Sequence, residues 1–165
     1  MRIAGEVINN SGGTRGPITV TAKLKDAKGT VVATLTGTTF AYRLGDGSVS
    51  PFVLSGSAPA YSTISYSETA ATALRSVTLQ LRSLTGTANT DGTVSEAGVV
   101  KNTGTSSVSS ARAARTWYGA RGQVLDVKTA AVSPSTLAPG ASGTFTVVRP
   151  VLGPVLGTRT QLRAK

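Results

Sequence analysis

The amino-acid sequence predicts an all-β protein of two tandem antiparallel β-sandwiches, and three observations carry that expectation. Charged residues make up 15% of the 165 residues and glycine occurs 19 times, against roughly 25% charged residues in ordinary globular chains. Serine and threonine abound while helix-favouring Glu, Lys, Leu and Gln are sparse, a composition suited to strands and turns. Apolar and polar residues alternate in short runs divided by glycine-containing turns, the pattern of half-buried strands. The chain also repeats itself: Leu44, Gly47 and Phe52 recur as Leu137, Gly140 and Phe145 at an offset of 93 residues.

The repeat extends beyond one block. Gly29 precedes Leu44 by the interval that separates Gly122 from Leu137, and "LKDAKGTVV" (24–32) lies over "WYGARGQVL" (117–125). Further back, "GEVINNSG" (5–12) matches "AGVVKNTG" (97–104) after a one-residue slip. Ordered blocks of this kind imply duplication. The boundary is expected in "TGTANTDGT" (85–93), giving domains 1–88 and 89–165. Each copy is small, and a domain of this size hides only about 60–65% of its unfolded surface.

In the first copy the pattern predicts strands over 2–8, 17–25, 30–36, 38–44, 49–54 and 76–84. "ITVTAKL" sets Ile18, Val20, Ala22 and Leu24 on one face, and "SVTLQLRSL" does the same for Val77, Leu79 and Leu81. In the second copy strands are expected over 94–100, 108–118, 123–130, 143–149 and 157–163. The turns have local reasons. "DAKG" and "GARG" end in glycines suited to the left-handed position of a hairpin, and Pro139 with Gly140 in "LAPG" makes a rigid reversal. The strand that follows places Phe145 and Val147 on one face, as Phe52 and Leu54 are placed in the first copy.

The residues that are missing restrict the chemistry. With no histidine and no cysteine, the chain has no Ser-His-Asp or Cys-His nucleophile, no thiolate or imidazole zinc site and no disulfide. Its seven carboxylates are dispersed, without the spacing of a glycosidase pair. The expectation is a protein that is not an enzyme, with no cofactor and no metal.

The formal charge is +10, from eight basic and four acidic residues up to position 88 and nine and three after it. A dispersed positive charge speaks to solubility and non-specific attraction to anionic polymers or surfaces. Sparse aromatic residues argue against a single-stranded nucleic-acid groove, so no specific nucleic-acid partner is expected. No apolar run approaches the roughly 20 residues of a membrane-spanning helix, and "MRIAGEVINN" enters a strand pattern at once, without the form of an export signal.

Several residues invite a closer reading. Trp117 and Tyr118 are adjacent, so strand parity sends one inward and the other outward; Trp117 is read as the core anchor. Tyr118 and Arg112 then form a small candidate recognition surface. Arg115 shares the inward parity of Trp117, and its charge is expected to reach water at the sheet edge or to be displaced by a bulge. The segment 57–75 is read as a decorated loop bearing Tyr61 and Tyr66 as further candidates for surface binding, with a helical turn in "SETAATALR" capped by Ser67. Asn89, Asp91 and Glu96 offer too few oxygens for calcium. Lys101 with Asn102 or Glu96 has the residue types of an isopeptide bond, but adjacent residues point to opposite strand faces.

Taken together, "KLKDAKG", "RTWYGARG" and the block from Leu137 through Pro139 and Gly140 to Phe145 resemble two tandem FxLYD-type domains, an immunoglobulin-like β-sandwich module of bacteria and archaea. Gly5, Val7 and Asn9 or Asn10 carry the opening element in the first copy; Val99, Val100 and Asn102 carry it in the second. The middle element is split between Leu24, Asp26 and Gly29 in one copy and Tyr118 and Gly122 in the other, and Asp46 stands where Pro139 does. The resemblance implies a non-enzymatic structural or adhesive module of a cell envelope, extracellular filament or secreted assembly, located outside the cell. The alternatives are a binding module for an anionic wall polymer or surface, and a virion or tail structural protein. Partners under the first reading are other protein subunits, met through strand edges such as "RIAGEVI" and "TRTQL" or end to end.

Overall fold

The computed structural model describes residues 1–73, 78–151 and 153–165. The chain divides into two compact units, Met1–Leu74 and Arg75–Lys165. Unit 1 contains β1 (Arg2–Ile8), β2 (Ile18–Lys25), β3 (Val31–Thr38), β4 (Val49–Ser55) and β5 (Thr63–Ala70). Unit 2 contains β6 (Leu79–Ala88), β7 (Thr93–Asn102), β8 (Arg112–Tyr118), β9 (Val124–Ala131), β10 (Ser142–Pro150) and β11 (Gly157–Arg163).

Every strand pair is antiparallel. In unit 1 a two-stranded sheet β1-β4 faces a three-stranded sheet β3-β2-β5; in unit 2 the sheets are β10-β7-β6 and β11-β8-β9. Inward residues of both sheets meet in each core. Val7, Phe52 and Leu54 pack with Ile18, Val20, Ala22, Leu24 and Leu35 in the first, and Val100, Phe145 and Val147 pack with Ala113, Trp117 and Leu162 in the second. The all-β, two-sandwich expectation therefore holds. Leu44 and Leu137 are both buried, and each bridges to the segment after the opening strand, to Arg15 and Val108 respectively.

The duplication runs deeper than the quoted blocks, and without the slip read in its first element. Asn9 and Asn102 are 93 residues apart and both buried. The Asn9 amide donates to the carbonyls of Gly13 and Leu44 at 2.7 and 2.9 Å; that of Asn102 donates to Ser106 and Leu137 at 2.8 and 2.9 Å. Their side-chain oxygens accept from the N–H of Ser11 and of Gly104. The Leu44 and Leu137 carbonyls also accept from the N–H of Arg15 and of Val108, so each asparagine ties the segment after the opening strand to the leucine turn at one buried point. The buried clamp is thus Asn9, not Asn10, and it aligns Gly5 with Gly98 and Val7 with Val100.

Other boundaries moved. The expected strand 38–44 is irregular chain after β3, and 108–111 lies outside β8. The boundary expected at 88/89 falls at a hairpin turn instead: β6 pairs with β7 from Leu79–Asn102 to Ala88–Val94, so the strand read as the last of copy one belongs to unit 2. Gly92, at φ 76°, closes that turn. Val77, part of the reading over 76–84, lies outside the described residues. The helical turn capped by Ser67 is not formed. Ser67 sits within β5, opposite Thr21 of β2, because pairing with β2 supplies backbone partners that one isolated helical turn could not match.

Candidate functional site

Strand β8 carries most of the unusual chemistry of the chain. Its inward residues are Ala113, Arg115 and Trp117, all buried; counted back by 93 they correspond to Val20, Ala22 and Leu24 of unit 1. Arg115 thus occupies a core position: its charge does not reach water at the sheet edge, and the register shift of β8 falls after Trp117, leaving the inward parity of Arg115 in place. It meets Glu96, an inward residue of β7, whose Oε2 accepts from Arg115 Nε and Nη2, both at 2.7 Å. Trp117 Nε1 donates to Glu96 Oε1 at 2.7 Å, and Arg115 Nη1 donates to Thr160 Oγ1 at 2.7 Å. Arg149 Nε approaches Glu96 Oε1 at 3.6 Å, and the guanidinium carbons of Arg115 and Arg149 lie 5.7 and 5.2 Å from the Trp117 ring centroid.

One carboxylate and two guanidinium groups around an indole make a closed ionic cluster with an excess of one positive charge. Removing two charges from water is costly, and only full pairing and hydrogen bonding offset it. Here both carboxylate oxygens are occupied and the cations lie near the negative face of an aromatic ring. From the sequence, Glu96 stands out only as a calcium or isopeptide candidate. The signal that could have found the pair was parity: Glu96 and Arg115 both fall on inward positions of their copy.

The outward face of the same strand holds Arg112, Ala114, Thr116 and Tyr118. The register sets Arg163, Gln161, Arg159 and Gly157 of β11 beside them in that order. Arg112 and Tyr118 do share a face, as expected, but six residues along a strand separate them by about 20 Å. They do not form one small patch. Each instead meets an arginine from β11: Arg163 lies opposite Arg112, and the Arg159 guanidinium carbon is 5.7 Å from the Tyr118 ring centroid. Ala114 and Thr116, at the centre of this outer face, are nevertheless buried. The Nε atoms of Arg112 and Arg163 are likewise buried. The result is an arginine-lined sheet face bearing Arg112, Arg159 and Arg163, with Tyr118 at one end.

Tyr61 and Tyr66 belong to unit 1, before and within β5, and are 42% and 51% exposed. They thus stand in a different unit from Tyr118 and Arg112. Asn89 and Asp91 organise the β6–β7 turn. The Asn89 amide donates to the hydroxyls of Thr93 and Ser95, while Asp91 accepts from the hydroxyl and N–H of Thr93. Those bonds from Thr93 hold the Asp91 carboxyl below the usual carboxylate range. Glu96 is buried away from them, and among the described residues no group of three or more acidic side chains could hold a metal ion. The Asn102 amide is engaged by the carbonyls of Ser106 and Leu137.

No family model matches the sequence, and no curated protein does. Among solved structures the chain is similar to part of an exo-chitosanase from Amycolatopsis orientalis, at 17% identity over 96% of this chain and 24% of that one, with a TM-score of 0.39. A β-glucuronidase from Bacteroides uniformis matches at 14% identity over 98% and 24% of the two chains, TM-score 0.35. A putative β-galactosidase from Bacteroides fragilis matches at 11% identity over 98% and 32%, TM-score 0.30. The chain spans about a quarter to a third of these proteins.

Proposed function

We propose that this chain is a non-enzymatic structural module of two tandem sandwiches that serves as a spacer and joining unit in a cell-envelope, filament or secreted assembly. The observation that supports it is the fate of the polar side chains. In both copies the buried asparagine is spent on backbone carbonyls at the same place, and in unit 2 the buried glutamate is saturated by Arg115 and Trp117. Duplication kept a device that holds loops to the sheet, which is what a load-transmitting scaffold needs.

The arginine-lined face favours a second reading, a binding module for an anionic wall polymer or surface. A binding panel separates the two: the full chain against wall polysaccharide, anionic vesicles and duplex DNA at about 0.15 M salt, where exposed charges more than ~8 Å apart are largely screened. The structural reading expects weak, non-saturating association with all three. Saturable binding to one of them, lost in both Arg112→Ala and Arg159→Ala, would replace it with the receptor reading.

A further inference from the structure

Strand pairing in unit 2 gathers three connections at one end of the sandwich: the β6–β7 turn, the β8–β9 turn and the link from β10 to β11. Ala88 pairs with Val94, Pro150 with Thr93, and Tyr118 with both Val124 and Gly157. The β10–β11 link and its flanks read "PVLGPVLG" (150–157), without a charged or hydroxyl side chain. Leu156 is 72% and Val151 65% exposed, the two most exposed large apolar side chains among the described residues. Pro154, between them in sequence, is exposed as well.

Backbone bonds fix where these side chains stand. The Val151 N–H donates to the Gly92 carbonyl at 3.2 Å, and the Leu156 N–H to the Tyr118 carbonyl at 3.0 Å. Val155 packs on the unit 2 core while its neighbour Leu156 faces solvent. The duplicate shows that the fold does not require an aliphatic residue there. In unit 1 the equivalent bond runs from the Ser62 N–H to the Lys25 carbonyl at 2.8 Å, and Lys25 lies 93 residues before Tyr118. Leu156 therefore stands where unit 1 has a serine. Exposed apolar surface with no structural need marks a contact with something outside the chain. Among the described residues, the exposed charges at this end are Arg121 of the β8–β9 turn, Arg159 of β11 and Asp91 of the β6–β7 turn. The buried cluster on Trp117 adds one positive charge, so an apolar tip stands in front of an excess of cations.

We infer that this tip is a lipid-docking site. Val151, Pro154 and Leu156 enter the interfacial region of an anionic bilayer, and Arg121 and Arg159 meet its phosphate head groups. The inference rests on the joining role proposed above and names what is joined: the assembly and a membrane surface. The argument for lipid is complementarity of charge and depth. An aliphatic tip with basic residues behind it matches a surface whose negative phosphates lie above its acyl chains. Two aliphatic side chains hold one copy only weakly, so single chains partition into vesicles without saturating them. Copies fixed in one assembly add their contacts.

The test measures partitioning of the full chain into vesicles of phosphatidylcholine and phosphatidylglycerol, read by flotation and by quenching from lipids brominated in their acyl chains. Leu156→Trp supplies the reporter, since Trp117 is fully buried, and its emission should be quenched. Val151→Ser combined with Leu156→Ser, the second copying unit 1, should lower the partition coefficient by about tenfold or more. Val31→Ser, at a residue of unit 1 that is 46% exposed, should leave it unchanged. Arg121→Glu should lower it severalfold on these vesicles and little on pure phosphatidylcholine. An unquenched reporter, or a serine double variant that floats as the unchanged chain does, would overturn the site and assign the association to net charge. So would self-association in sedimentation that the double variant abolishes, which marks a second copy as the occupant. The polymer panel turns on Arg112, at the far end of β8, so failure of this tip and failure of the spacer reading are seen separately.

Discussion

At the scale of single residues, the two units differ most where one hydrophobic end of the core has been replaced by charge. Counted back by 93, Glu96, Arg115 and Arg149 fall on Ile3, Ala22 and Gly56. Ile3 packs against the unit 1 core, whereas the unit 2 residues form the ion cluster on Trp117. Glu96→Ala would leave Arg115 buried without its carboxylate, so a loss of about 3–5 kcal/mol is expected in chemical denaturation of unit 2. The triple change Glu96→Ile, Arg115→Ala and Arg149→Gly copies unit 1 and should recover most of that loss. If the single and triple variants are equally destabilised, the cluster is not the source of the effect.

At the scale of elements, a bare glycine in the opening strand of each unit faces a phenylalanine directly across the sheet. Gly5 pairs with Phe52 and Gly98 with Phe145. A Cβ on Gly5 would stand 2.7 Å from the Phe52 ring, and one on Gly98 would collide with the ring of Phe145. Gly98→Ala is therefore expected to destabilise unit 2 by about 1–3 kcal/mol through overpacking. Adding Phe145→Leu to that variant should cost less than the sum of the two single changes, which a double-mutant cycle by urea denaturation would measure. Strict additivity would mean that the ring is not what the methyl group meets. The misread element is equally instructive. In β5 the inward positions are Ile64, Tyr66 and Glu68, and only the first packs on the core. Without an apolar alternation, nothing local separates "TISYSETA" from a loop; hydrogen bonds to β2 make it a strand.

At the scale of the whole molecule, the +10 charge is partly organised rather than evenly spread. Duplex DNA is a convenient polyanion for asking whether the arginine-lined face matters, because the slope of log affinity against log salt counts phosphates neutralised, about 0.9 per contact. Replacing Arg112, Arg159 and Arg163 by alanine should lower that slope by roughly three. Removing the same charge at Lys23, Lys25 and Lys28 should lower it less. Equal reductions would mean that the protein meets polyanions through net charge alone.

The sequence by itself determined the class of fold, the duplication and most strand faces. Those depend on local alternation, on turn glycines such as Gly29, Gly122 and Gly140 with their positive φ, and on spacing between copies, all of which are written along the chain. It also placed Trp117 in the core and Arg112 with Tyr118 on the opposite face. Tertiary structure alone decided what crosses between strands: that β6 serves unit 2, that Asn9 rather than Asn10 is the clamp, that Arg115 finds Glu96, and that Arg159 and Arg163 join Tyr118 and Arg112. Parity states which way a side chain points, but not which strand lies beside it or across the core. A buried charge is tolerated only where that second strand supplies its partner.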